Sequence, residues 1–272
     1  MNVAEVTLSA CVVALAGFIG LQVREIRKVP VVPPSYENVE AAPGTVDSAL
    51  ASASSGGNSY QRREVVERTV IGSESALEPA ELRRRLKQGA PGTYVEELLF
   101  SRDSSLARWP VRMTNPLRVW IDEPDRLTGW SADFPASVRE AFDTWSATGI
   151  PMRFTFIHDS ASADVHVRFL AKFPSGISGK TLWSRNTGWW VVSADIVLSL
   201  SHPGGGPVSA LQMRAIALHE VGHLLGLDHT ADATNIMSAR VRVRDLSDAD
   251  RATIRLLYSV PAGSTRSDSS AH

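Results

Sequence analysis

Apolar residues recur with two different periods through the second half of the chain, and these periods predict alternating strands and helices. Apolar and polar residues alternate in Met152–Ile157 and Asp164–Phe169, as they do in half-buried strands. Pro116–Ile121 and Trp189–Leu200 are further strand candidates. Helical spacing marks a segment from Pro135 to Ala147, with one apolar face that carries Val138, Ala141, Phe142 and Trp145.

Two more helices are predicted towards the C-terminus. One is the largely apolar segment from Pro207 to about Leu225. The other follows a capping-box pattern made by Ser247 and Asp250, and it runs through Tyr258. From Ala262 onwards the chain is polar, so we expect a disordered tail there.

The N-terminal part of the chain has a different character. Val6–Val23 is an apolar run of about eighteen residues, the lower limit for a membrane span. No basic residue precedes this run and no convincing cleavage site follows it, so an anchor is favoured over a cleaved signal peptide. Three basic residues that follow the run would keep the rest of the chain in the cytoplasm by the positive-inside rule: Arg24, Arg27 and Lys28.

These features divide the chain into five predicted parts. Residues 1–28 form a hydrophobic anchor or signal segment, and 29–60 form a flexible linker rich in Pro, Ala, Ser and Gly. Residues 61–108 are more charged, contain a helix near Pro79–Gln88, and read equally as a docking segment or a pro-segment. Residues 109–260 form the main domain, and 261–272 form the tail.

Composition narrows the possible partners and the covalent chemistry. The 272 residues carry a formal net charge of -1, so nothing indicates a nucleic-acid partner. The only cysteine is Cys11, which excludes a disulfide within the chain and leaves the compartment open.

The most informative residues are eleven that read H-E-x-x-H-x-x-G-x-x-H. His219 and His223 are four residues apart, so on a helix both imidazoles leave the same face and can share a zinc ion. Gly226 can take the left-handed conformation that ends a helix, and the chain can then bring His229 to the same ion. Glu220 can reach a water molecule at the open position of such a site and accept its proton.

The alternative interpretation is a core helix with incidental histidines. Such a helix has no need of three histidines, a glutamate and a glycine at these offsets. The pattern therefore indicates a catalytic site for one Zn²⁺, with ligands His219, His223 and His229 and the general base Glu220. Asp228 is either a partner that fixes a histidine tautomer or a turn or surface carboxylate.

The motif resembles that of the metzincin zinc peptidases, and two further segments resemble the matrixin branch. Met237 follows the third histidine by eight residues, and Asn235–Ser238 could form the tight turn that supports the metal site in that family. Leu225–His229 and Leu246–Asp250, with Leu256–Tyr258 beyond, are closest to matrixins. The resemblance extends over roughly residues 109–260.

The resemblance implies an α+β fold with a twisted mixed sheet, an active-site helix, a backing helix and a C-terminal helix. It also implies that an edge strand pairs with the extended substrate, and this strand is predicted at Trp190, Val191, Val192, Ser193 and Ala194. Residues 230–236 would wall the main specificity pocket. The family's second, structural zinc is not expected, because its ligand set is absent and Lys172–Gly188 reads as a loop poor in carboxylates; calcium is not expected either.

The leading hypothesis is therefore a zinc metalloendopeptidase, monomeric, acting on a protein or peptide. The resemblance implies a domain outside the cytoplasm, either anchored by the N-terminal segment or secreted, against the positive-inside expectation. Two other functions stay open: a catalytically silent zinc-containing adhesion module of the same fold, and a zinc hydrolase of a non-peptide substrate. We predict that Glu220→Ala keeps zinc and loses activity.

Overall fold

The computed structural model describes residues 76–124 and 126–266. The elements follow in the order α1 (Pro79–Gly89), α2 (Val95–Ser101), β1 (Ser105–Leu106), β2 (Arg112–Ile121), α3 (Phe134–Ser146), β3 (Met152–Ile157), β4 (Val165–Leu170), β5 (Gly179–Arg185), β6 (Val191–Ser199), α4 (Ala210–Leu224), α5 (Asp248–Ser259) and β7 (Gly263–Ser264). The predicted α+β class, with a mixed sheet and several helices, is confirmed.

The main sheet has five strands in the order β3-β2-β4-β6-β5. The first four are parallel to one another, and β5 joins the edge next to β6 in the antiparallel direction. Helices α3 and α4 pack against each other, and α4 also packs against β5 and β6. This arrangement brings α4 alongside the β5 edge of the sheet.

Helix α4 is fixed at its beginning, middle and end. A capping box formed by Ser209 and Gln212 starts the helix, three residues after the predicted start. The indole nitrogen of Trp145 donates to the carbonyl of Leu218 at 2.8 Å. Trp109 donates in the same way to the carbonyl of Leu224 at 3.0 Å, which satisfies one of the acceptors left free at a helix end.

The described part of the predicted accessory segment packs into the hydrophobic core of the domain. Helix α1 contributes the buried Leu82 and Leu86, and α2 contributes the buried Val95 and Leu98. Helix α2 had no counterpart among the predicted elements. Strand β1 then pairs with β7 in a small antiparallel sheet.

Two other predictions are corrected by this architecture. The residues at 172–188 were predicted as a loop, but they contain β5. The tail was predicted to be disordered from Ala262, but Gly263 and Ser264 form β7, and Thr265 donates to the carbonyl of Ser104 at 2.8 Å. The capping box that begins α5 is confirmed.

Within the part of the chain that the structure describes, no helix combines the length and the apolar character needed to cross a membrane. The apolar run Val6–Val23 and the linker at 29–60 lie outside the described residues.

Candidate active site

The first two histidines of the motif lie in the last turns of α4, and their rings are held by backbone carbonyls. Nδ1 of His219 lies 2.7 Å from the carbonyl oxygen of Ile236. Nδ1 of His223 lies 3.1 Å from the carbonyl oxygen of Leu227. A carbonyl can only accept, so both Nδ1 atoms carry the proton and both Nε2 atoms present a lone pair.

The Nε2 atoms of the three histidines converge on one point. Nε2 of His223 lies 3.1 Å from Nε2 of His219 and 3.2 Å from Nε2 of His229. Nitrogens bound to zinc at about 2.0–2.1 Å in a tetrahedron lie about 3.3 Å apart. The two spacings are close to this value, and the three side chains therefore fit a zinc site.

Loss of contact with water, partial at His229, favours the neutral form of these rings, which is the form that binds metals. It lowers the pKa of His219 to about 4 and lowers the pKa values of His223 and His229 below their usual range. Gly226, with a φ of 105°, turns the chain between the second and the third histidine. A side chain there would also overlap the carbonyl oxygen of Ala107. Glycine is therefore required both for the positive φ and for the close approach of Ala107.

Glu220 belongs to α4, and its side chain lies between this helix and the edge strand β5. Its side chain is buried, and its Oε2 accepts a hydrogen bond from the hydroxyl of Thr181 at 2.7 Å. Burial raises the pKa of Glu220 to about 7, although the Thr181 hydrogen bond acts to lower it. Gly179 also lies against the Glu220 carboxylate and leaves no room there for a side chain.

Sequence reasoning missed Thr181 and Gly179. Gly179–Arg185 shows no apolar–polar alternation, because Leu182 and Trp183 are adjacent, so periodicity gave no sign of a strand. Only the pairing of these residues with β6 makes them a strand.

Comparison with known proteins agrees with this arrangement. Residues 170–259 match the family profile described as Matrixin. The chain is 27% identical over 187 residues to "Metalloendoproteinase 1" of Glycine max, a match that covers 61% of this chain and 57% of that protein. It is 30% identical over 154 residues to "Metalloendoproteinase 1-MMP" of Arabidopsis thaliana, covering 49% and 40%. The chain therefore carries a domain that resembles the matrixins.

The predicted family resemblance is thereby confirmed, and the comparisons support a metalloprotease at the level of the family. A third match is "Metalloendoproteinase 2-MMP" of Arabidopsis thaliana, at 28% identity and covering 43% of that protein. The chain spans about half the length of the curated relatives that it matches.

The matrixin-like domain places the predicted substrate strand differently from our expectation. Residues 191–194 belong to β6, which lies between β4 and β5, so the edge-strand prediction for Trp190, Val191, Val192, Ser193 and Ala194 is wrong. Arg185, Ser184 and Trp183 of β5 pair along the outer side of this segment. Trp190 precedes β6 and stacks on the guanidinium of Arg108, 4.8 Å from its ring centre.

Asp228 is buried and is not a surface carboxylate. It accepts hydrogen bonds from the backbone nitrogen of His229 at 2.7 Å and from the hydroxyl of Ser101 at 2.9 Å. The guanidinium of Arg102 also lies beside it, at 3.4 Å. Asp228 therefore joins the loop that carries the third histidine to helix α2.

Asp250 links the last helix to the first histidine. Its carboxylate is fully buried and accepts from the backbone nitrogen of Ile236 at 2.9 Å and from the hydroxyl of Tyr94 at 3.0 Å. The carbonyl of the same residue, Ile236, holds the ring of His219. The sequence identified Asp250 only as a helix cap, because the contact with Ile236 depends on how the chain folds back.

Met237 is buried beneath α4, where it packs against Gly222. Gly222 lies in the turn between His219 and His223, and a methyl group on it would overlap the sulfur of Met237. This packing is compatible with the supporting role predicted for Met237, which stays a prediction.

Replacing Gly222 by alanine is expected to destabilise the domain. The overlap with Met237 should lower the free energy of unfolding by about 1–2 kcal/mol, although alanine is the better helix former. Urea unfolding of the zinc-loaded chain would measure this. Gly204→Ala is the matched control, because a methyl group at Gly204 meets no atom within 4 Å; equal stabilities of the two variants would contradict the prediction.

Proposed function

We propose that this chain is a zinc-dependent endopeptidase. The observation that carries the proposal is the convergence of three imidazole Nε2 atoms at the end of the helix that carries Glu220, whose buried carboxylate contacts Thr181 of the edge strand β5. His219, His223 and His229 would hold the metal. The family match and the names of the plant relatives support the same class of activity.

Each side chain at the site has a separate role in the proposed reaction. When bound, a zinc ion supplies a Lewis acid that activates water and polarises the carbonyl of the scissile bond. Glu220 accepts the proton of the attacking water and returns it to the leaving nitrogen. Thr181 orients the Glu220 carboxylate, and the carbonyls of Ile236 and Leu227 orient two of the three rings.

The substrate is proposed to bind as an additional strand along β5. Among the described residues no strand pairs with the outer side of β5, and Leu182 on this strand is 52% exposed. An extended peptide can form backbone hydrogen bonds there, which carry little sequence information. Because β5 also contacts Glu220 through Thr181, a peptide on this edge would pass close to the carboxylate.

Removing the metal tests the proposal. The purified chain should cleave casein, lose this activity on treatment with a strong chelator, and regain it when stoichiometric zinc is added. A chain that binds zinc but leaves casein intact would point to a silent binding module or to a hydrolase of a non-peptide substrate. A chain that cleaves casein equally well with chelator would exclude the zinc mechanism.

Three statements stay predictions: that the N-terminal apolar run attaches the chain to a membrane, that the domain lies outside the cytoplasm or is secreted, and that the chain is monomeric. They concern residues or assemblies that the described part of the chain does not include.

A further inference from the structure

Helices α1 and α2 both pack into the hydrophobic core, and α2 also reaches the loop that carries the third histidine. We call residues 225–231 the metal loop. The hydroxyl of Tyr94 reaches Asp250, and its backbone nitrogen donates to the hydroxyl of Thr253 at 3.1 Å. With Leu82, Leu86, Val95 and Leu98 buried in the core, the segment is integrated into the domain.

Arg102, directly after α2, binds the first half of the metal loop. Its guanidinium donates to the carbonyl of Gly226 at 2.7 Å and to that of Leu227 at 2.9 Å. It also lies against the carboxylate of Asp228, and the two side chains are only 9% and 7% exposed. A buried pair of this kind is costly to break, because the remaining partner stays desolvated.

The same segment also binds the metal loop beyond the third histidine. Glu97 accepts from the backbone nitrogen of Ala231 at 2.7 Å and from the hydroxyl of Thr230 at 3.1 Å. The contacts from Glu97 and Arg102 therefore lie on both sides of His229. The carbonyl of Leu227 that accepts from Arg102 also holds the ring of His223.

The metal loop needs these partners because it contains no helix or strand. Carbonyl groups and amides in an irregular segment require side-chain partners when they are removed from water. Arg102 serves two of these carbonyls, and Glu97 serves one amide. Without them, the loop around His229 would be held mainly by bonds among nearby residues, such as those from Leu227 to Gly222, from His229 to Asp228 and from Thr230 to Met237.

We propose that Glu97, Ser101 and Arg102 are positioning residues of the zinc site, and that α1 and α2 are a permanent part of the working domain. This inference rests on the proposed function and extends it. The sequence left two interpretations of this segment open, a docking segment and a pro-segment. We infer that it is a docked segment that holds the metal loop, and not a pro-segment that is removed to allow activity.

Zinc release measures the positioning role directly. The zinc-loaded chain is mixed with an excess of a chromogenic chelator well below its unfolding temperature. Arg102→Met should release zinc about tenfold faster than the wild type or more, as substitutions behind metal ligands do. Arg102→Lys should fall between them, because it keeps the charge but not the planar fork. Arg83→Met, at an exposed arginine of α1, should match the wild type.

A purely structural role predicts a different result. It would lower the unfolding temperature of Arg102→Met while zinc release in the folded state stayed within about twofold of the wild type, and this outcome would overturn the proposal. Should Arg102→Met not fold, Glu97→Gln serves as the second variant, since Glu97 is exposed and does not contribute to the core. It should release zinc about threefold faster; an unchanged rate would count equally against the proposal.

Intact mass spectrometry during peptide cleavage tests the second part. Turnover of an unstructured peptide should proceed while residues 79–108 remain covalently attached. Activity that developed only after cleavage within 79–108 would overturn this part. A wild-type chain that bound no zinc would instead refute the proposed function itself, so the two failures are distinguishable.

Discussion

A chain with glutamine in place of Glu220 is expected to bind zinc as the wild type does and to hydrolyse peptides about a thousandfold more slowly. Glutamine keeps the volume of the side chain and can still accept the hydrogen bond from Thr181. It cannot accept a proton from water, so the step assigned to Glu220 is lost. Zinc content by elemental analysis and kcat with a quenched fluorescent peptide would measure the two properties separately.

The matched control for this variant is Glu96→Gln, since Glu96 is an exposed glutamate of α2. Its activity should equal that of the wild type. Wild-type turnover by Glu220→Gln at full zinc occupancy would show that another group accepts the proton. Loss of zinc from Glu220→Gln would instead indicate that the side chain maintains the metal site, which the carbonyl contacts of His219 and His223 do not suggest.

The histidine motif could be found from the sequence because its spacing is local. His219 and His223 are one helical turn apart, and one glycine turn brings His229 back. The spacing of the motif is therefore enough to predict that the three side chains meet. The supporting contacts are not local. Thr181 and Asp250 reach the site from a strand and a helix distant in the chain, and no periodicity relates them to the histidines.

The strands and helices with a strong period were predicted, and the elements defined by their partners were missed. Helix α3 and strands β3 and β4 show the expected apolar spacing, and the structure confirms them. Strand β5 exposes one side and lacks alternation, while β1 and β7 are two residues each and exist only as a pair. The edge-strand error has the same origin: β6 is the more apolar strand because it is internal.

Replacing Asp250 by alanine is expected to have the second largest effect, on stability and on zinc together. The carboxylate is fully buried and accepts from the hydroxyl of Tyr94, from the backbone nitrogen of Ile236 and from the backbone nitrogen of Ser247, the residue before α5. Its loss leaves these donors unsatisfied, at about 1–3 kcal/mol for each. The free energy of unfolding should therefore fall by about 3–5 kcal/mol, measured by urea unfolding.

The effect on zinc follows from the position of Ile236. Its amide is fixed by Asp250, and its carbonyl holds the ring of His219, so a shift of this one residue disturbs the ligand. Release of zinc to a chelator should be about tenfold faster in the milder variant Asp250→Asn, which keeps the side-chain volume. Asp248→Ala removes an exposed carboxylate from the same first turn of α5 and controls for the helix dipole. Equal stability and equal zinc release in the variants at 248 and 250 would show that the buried carboxylate does not connect α5 to the metal site.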